Sequence, residues 1–245
     1  AMLATNGIMV LAGYLILRIQ SLPILNPNGI RGMEPGLAFN TVISFITNTN
    51  LQHYSGESGL SYLSQMLVII FMMFMSAATG FAVAVAAVRA LAGRAKTMGN
   101  FYADLVRMTT RVLLPLSFIV GLILVSQGVV QNLSANVTVQ TIEGTYQDIA
   151  MGPIAALESI KHIGTNGGGF LGANSSAPFE NPNVLTNMIQ MLCMTLLPGA
   201  CVVMFGLMVR SRKKAVGKGT PKEGLLGSEA KPIFAVMLVL LLVGI

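Results

Sequence analysis

Long apolar runs broken by short polar ones set the pattern of this chain. Three stretches free of Asp, Glu, Lys and Arg, residues 58–88, 112–142 and 181–209, each exceed the roughly 20 residues that a spanning helix needs. Their apolar cores at 66–88, 112–130 and 185–209 predict three full spans, and residues 2–17 and 232–245 read as partial spans. Pro115 and Pro198 fall inside spans, where membrane helices tolerate proline better than soluble ones do. Two further apolar stretches are too short to cross a bilayer: "PGLAFNTVISFITNTNLQ" at 35–52 and "GPIAALESIKHIGTNGGGF" at 152–170.

These two stretches read as a repeat. Setting Thr47 on Thr165 pairs Ala38 with Ala156, Phe45 with Ile163 and Asn48 with Asn166. In each, helix-compatible sequence runs into Thr-Asn, then into polar or glycine residues, and a full span follows. The unit is span, short re-entrant helix, polar turn, span. Non-helical backbone at membrane depth is tolerated only where it is buried in protein or lines a watery cavity, so the layout predicts pore loops around a transport path.

Composition agrees with a membrane protein: of 245 residues, 53% are hydrophobic and 10% charged, against about 25% charged in soluble domains. The net charge of +6 sits at the ends of apolar runs, a topology signal rather than a nucleic-acid patch. Arg89, Arg94, Lys96, Arg107 and Arg111 face only Asp104. Arg210, Arg212, Lys213, Lys214, Lys218, Lys222 and Lys231 face Glu223 and Glu229. The other segments hold Arg18, Arg31 and Lys161 against Glu34, Glu57, Glu143, Asp148, Glu158 and Glu180. The basic loops are therefore expected in the cytoplasm, beside anionic lipid, and the acidic segments outside. Among them Glu34, Glu57, Asp148 and Glu180 read either as a solvated outer face or as a means of concentrating cations. Cys193 and Cys201 are about 12 Å apart on a helix, too far for a disulfide. The 16 methionines read as packing or lipid-facing residues, and the sequons at Asn132, Asn136 and Asn174 are weak patterns. Both ends of the sequence read as cut, as in a fragment.

The chemistry expected of the turns is cation binding. Backbone carbonyls replace a hydration shell without full charge, so they bind a large monovalent ion and let it leave. Glycine at 164 and 167–169 permits the φ values this needs and clears side chains from the path. Thr47 and Thr165 can add hydroxyl oxygens, and the asparagines can add amide oxygens or brace the loop. A glycine-rich turn can also form an anion nest, although nests usually precede a helix and this turn follows one. No G-x-x-x-x-G-K-[ST] motif is present. His53 and His162 stand apart from Cys and carboxylates at ligand spacing, which makes metal ligation a poor reading.

The stretches "FNTVISFITNTNLQHYSGESGLSYLSQM", "MGPIAALESIK" and "GTNGGGFLGANSSAPFENPN" closely resemble the KdpA family, the potassium-binding subunit of the bacterial Kdp potassium-transporting ATPase. The likeness covers essentially the whole chain. It implies an all-α membrane protein of potassium-channel-like span–pore-loop–span repeats, four in the family and two complete here. The repeats would occupy 1–90 and 112–209, with cytoplasmic loops at 91–111 and 210–231 and a third repeat starting at 232–245. By the resemblance, the potassium-binding filter positions are Asn48, Thr49, Asn50, Gly164, Thr165, Asn166, Gly167 and Gly168, supported by Thr47, Gln52 and Gly169. Among them Asn48, Asn50 and Thr165 match coordinating positions, and Gln52 and Gly167 match neighbours that affect selectivity. The family usually has Phe-Asn at Leu171-Gly172, His at Ala177 and an aromatic residue at Leu51.

The resemblance further implies high-affinity, ATP-driven potassium uptake across the bacterial inner membrane. K+ bound in the filter would pass through an intramembrane tunnel to KdpB, the P-type ATPase subunit, with KdpC and KdpF as small accessory subunits. This chain carries no Asp-Lys-Thr-Gly, so ATP hydrolysis and nucleotide binding would belong to the partner. The competing reading is a free-standing cation channel of two copies, which would also bring four loops together.

Overall fold

The computed structural model describes residues 1–92, 97–215 and 227–244, with side chains for all of these except 210–215 and 227–228. Four helices are long and apolar enough to cross a membrane. They are α1 (Met2–Ile19), α3 (Tyr62–Ala92), α4 (Phe101–Ser126) and the part of α6 (Val184–Ala215) that ends at Val209. Two short helices lie between them, α2 (Pro35–Ile46) and α5 (Ile154–Ile163), and α7 (Gly227–Gly244) follows. Both short helices are where the apolar pattern expected re-entrant segments.

α3 lies at the centre and touches α2, α4, α5 and α6. α2 packs on α1, and α5 packs on α4 and α6. Phe45, Ile69, Met73, Leu157 and Ile160 are fully buried in the core they share. Between helices in a bilayer such packing contributes through close van der Waals contact rather than through exclusion of water. It fixes both short helices against α3.

Three boundaries depart from the sequence expectation. Residues 91–111, expected as a loop from their charges, include helix up to Ala92 and again from Phe101. Asn100 caps α4 by accepting from Ala103 N at 3.2 Å, and the Arg89 guanidinium bonds both oxygens of Asp104. The pairing offsets one of the five basic charges that read as a loop. Arg94 and Lys96 lie outside the described residues, as do the side chains of the basic run at 210–222. The helix α6 continues to Ala215, and α7 starts at Gly227 rather than at 232.

The third span ends at Ser126, short of 130. The residues after it form an antiparallel hairpin, β1 (Val137–Gln140) with β2 (Tyr146–Ile149), in the register Val137↔Ile149 and Gln140↔Tyr146. This hairpin stands outside the all-α expectation. Its β-branched alternation and glycine turn were masked by the lack of charges in the run before it.

Two π-helical segments interrupt the spans, Gln65–Ile70 in α3 and Thr109–Leu113 in α4. The second ends two residues before Pro115, whose ring and missing N–H an α-turn accommodates poorly.

Candidate functional site

Each short helix ends in the same backbone turn. In the first, Thr47 N donates to Ile43 O (3.1 Å), Asn48 N to Phe45 O (3.2 Å) and Thr49 N to Ser44 O (3.0 Å). In the second, Gly164 N donates to Ile160 O (2.7 Å), Thr165 N to His162 O (3.3 Å) and Asn166 N to Lys161 O (2.8 Å). The matching residues are therefore Thr47 with Gly164, Asn48 with Thr165 and Thr49 with Asn166. The expected alignment, Thr47 on Thr165, was one residue out of register. It matched the shared Thr-Asn letters, whereas the backbone is matched by the position of the helix end.

The corrected register is also the contact map of the site. Asn48 Nδ2 donates to Thr165 O (3.4 Å), Asn50 Nδ2 to Gly167 O (3.2 Å) and Gln52 Nε2 to Gly169 O (2.9 Å). All three pairs are 117 residues apart. Gly169 N returns a bond to Gln52 Oε1 at 2.8 Å. Equivalent positions of the two loops thus meet each other, as they do in two copies related by an axis passing between them.

The glycine expectation needs refinement. Asn48 (φ 61°), Asn50 (56°) and Thr165 (53°) hold left-handed backbone without being glycine, at a cost of about 1–2 kcal/mol each. Within the second loop only Gly168, at φ 72°, uses glycine's freedom. At Gly164 the reason is space: an added Cβ would lie 2.9 Å from Ile160 O and overlap the amide of Asn166.

The side chains divide the labour. Thr47, Thr49 and Thr165 are exposed, whereas Asn50 and Asn166 are buried. Asn166 Oδ1 accepts from Asn50 Nδ2 at 3.1 Å, and its Nδ2 donates to Met73 O at 3.3 Å. Asn50 Oδ1 is buried without a hydrogen-bond partner, an acceptor left open at the loop junction. Below the loops lies a cavity of about 420 Å³, lined by Thr47, Asn48, Ser76, Gly164, Thr165 and other residues.

The family model described as "KdpA: Potassium-transporting ATPase A subunit" matches residues 1–244. The chain belongs to the KdpA family. It is 61% identical over 210 residues to a protein of Clostridium acetobutylicum, a match covering 86% of this chain and 38% of that protein. It is 57% identical over 214 residues to proteins of Caldanaerobacter subterraneus subsp. tengcongensis and Geobacillus kaustophilus, in each case covering 87% of this chain and 38% of the relative. All three relatives are named potassium-transporting ATPase potassium-binding subunit. The chain thus spans about two-fifths of the length of these KdpA relatives. With its family and its four span-capable helices, it is a multi-pass membrane protein.

At Leu171 and Gly172, after the second loop of this KdpA chain, the backbone is held by carboxylates from elsewhere. Leu171 is buried, and its N–H donates to Glu180 Oε1 at 2.7 Å. Gly172 N donates to Glu57 Oε2 at 2.9 Å. Leu51 is 61% exposed.

The acids expected outside do not form one solvated face. Glu180 is fully buried and also accepts from Ser175 N at 2.8 Å. Burial, and then the charge of Glu158, push its carboxyl up to about 7. Glu158, fully buried, accepts from Ser175 Oγ (2.5 Å) and lies 3.5 Å from Lys161 Nζ and 3.2 Å from His162 Nε2. Lys161 Nζ bonds Ser175 Oγ as well. His162, expected to stand apart from carboxylates, is therefore paired with one. The spacing of 158, 161 and 162 places these groups on one helix face, a signal present in the sequence. Nothing in the sequence said that this face points inward. Among the described residues, no group of three or more His, Cys, Asp or Glu could hold a metal ion.

Proposed function

We propose that the chain carries half of a potassium filter and belongs to the potassium-binding subunit of an ATP-driven uptake system. The observation that carries this reading is the set of equivalent-position bonds, 48 to 165, 50 to 167 and 52 to 169. They hold two loop backbones side by side at helix C-termini, whose partial negative charge favours a cation. Carbonyls and threonine hydroxyls would supply most of the ion's shell. The unpaired Asn50 Oδ1 is a further acceptor already stripped of water. Asn48, Thr49, Asn50, Gly164, Thr165, Asn166, Gly167 and Gly168 form this half-filter, supported by Thr47, Gln52 and Gly169. Asn48 and Asn166 act as braces, because their amides are spent on protein partners.

In this reading the full-length protein takes K+ from outside the bacterial inner membrane and passes it through the membrane to KdpB, which hydrolyses ATP. KdpC and KdpF complete the complex, and this chain binds no nucleotide. The names of the relatives support an ATPase subunit, and no observation favours a two-copy channel.

The test is substitution in the full-length protein. An added Cβ at Gly167 would meet only ordinary contacts, 3.4 Å from Asn50 Cβ, so Gly167→Asp brings charge rather than collision. Gly167→Asp and Thr165→Val are expected to weaken K+ affinity and to blur discrimination against smaller or larger cations. Wild-type potassium-dependent growth and ATPase affinity in both variants overturn the reading.

A further inference from the structure

One hydroxyl outside both loops touches both of them. Ser76 lies on α3, 4% exposed, in an otherwise apolar stretch of that helix. Its Oγ is 3.0 Å from Asn48 Oδ1 in the first loop and 3.3 Å from Asn166 Oδ1 in the second. Met73 O, one turn back on the same helix, is also 3.3 Å away. A serine hydroxyl has one proton to donate, so three acceptors compete for it. Two of these acceptors belong to residues that grip the opposite loop: Asn48 donates to Thr165 O, and Asn166 accepts from Asn50.

We infer that Ser76 is a positioning residue for ion selectivity, a shared donor that sets the spacing between the two loops through Asn48 and Asn166. Ser76 acts on the ion only through these amides. Its hydroxyl is the one protein donor described for Asn48 Oδ1. With it removed, Asn48 is free to turn, and Thr165 O loses the bond that fixes its direction. Small errors in carbonyl spacing matter because selectivity depends on the number and placement of the oxygens an ion meets. Ser76 also lines the 420 Å³ cavity below the loops, which leaves room for one more methyl group. Threonine at this position therefore keeps the donor without crowding the core.

The inference rests on the loops being a potassium site, so the experiment separates the two claims. In the full-length protein assembled with its ATPase partner, ion-stimulated ATP hydrolysis is titrated with K+, Rb+ and Na+. Losing one net hydrogen bond of ordinary strength corresponds to about a five-fold change. Ser76→Ala is expected to raise the K+ half-saturation by about that factor, to narrow the K+/Rb+ ratio, and to move half-saturation more than the maximal rate. Ser76→Thr is expected to restore both half-saturation and ratio to within about two-fold of wild type. Ser76→Cys, similar in size but a weak donor, gives the same reading as Ser76→Ala should the alanine variant not assemble.

Wild-type half-saturation and ion ratio in Ser76→Ala overturn the inference. So does a Ser76→Thr variant as impaired as Ser76→Ala, because that outcome assigns the site to packing. If Gly167→Asp is impaired while Ser76→Ala is normal, only the role of Ser76 falls. If Gly167→Asp and Thr165→Val are both normal, the potassium reading falls with it.

Discussion

The two loops share one backbone turn and rest on opposite kinds of support. The first helix, α2, leaves Phe39 58% and Ile43 38% exposed, and hydroxyls finish its turn. Thr47 Oγ1 bonds Ile43 O at 2.8 Å, and Ser44 Oγ accepts from Leu51 N at 2.7 Å. In the second helix, α5, every residue but Ala156 is buried, and an ionic cluster of Glu158, Lys161, His162 and Glu180 stands behind it. Neutral hydroxyl bonds contribute about 1 kcal/mol each and tolerate loss. A buried ion cluster must instead offset a desolvation cost of several kcal/mol per ion, so it functions only when complete. Similar geometry therefore comes with unequal tolerance to change.

That inequality can be tested directly. The largest effect is expected from Lys161→Met, which leaves the buried Glu158 without its ammonium partner. A loss of about 3–5 kcal/mol is expected, read as reduced assembly and a lower thermal midpoint of the full-length protein in detergent. A variant as stable as wild type would remove the basis of the comparison. Ser44→Ala in the first loop is expected to cost about 1–2 kcal/mol, because Leu51 N loses its acceptor. Its midpoint should fall less than that of Lys161→Met, and its K+ half-saturation should rise.

The smallest effect is a matter of sign. Backbone N–H groups of Gly36 and Leu37 hold the Glu34 carboxyl below its ordinary 4.5. Its contribution is present above that value and is lost as pH falls through the depressed one. Burial raises Glu180 to about 7, so its contribution is full below 4.5 and is lost progressively as pH rises to about 7. Thermal midpoints followed from pH 3 to 8 should show Glu34→Gln flattening the acid side and Glu180→Gln flattening the range up to neutrality. The same side flattened by both would contradict the assignment.

Much of this was legible in the apolar pattern. Run lengths marked the spans, and the two short stretches before Asn48 and Thr165 marked the loop pair. The one-residue register error has a physical source, because threonine and asparagine letters repeat at positions that helix ends do not share. The buried cluster was hidden because charge counting treats Lys161 and Glu180 as solvated, and only tertiary packing decides which face of α5 points inward. Ser76 was hidden for the converse reason. One hydroxyl among apolar residues carries no pattern until two asparagines from distant segments converge on it.

The wide turn at Gln65–Ile70 has a consequence for phase. A π-turn carries an extra residue relative to an α-turn, so everything after it on α3 is rotated by about 100° from where an uninterrupted helix would place it. Ser76 lies six residues beyond the end of this segment, on the rotated part of the helix, and there its hydroxyl meets both loops. Shortening the segment by one residue would keep the span, its apolarity and its approximate length, yet turn the hydroxyl away from both loops. The aim of Ser76 is thus set by the winding of its helix well before the residue itself.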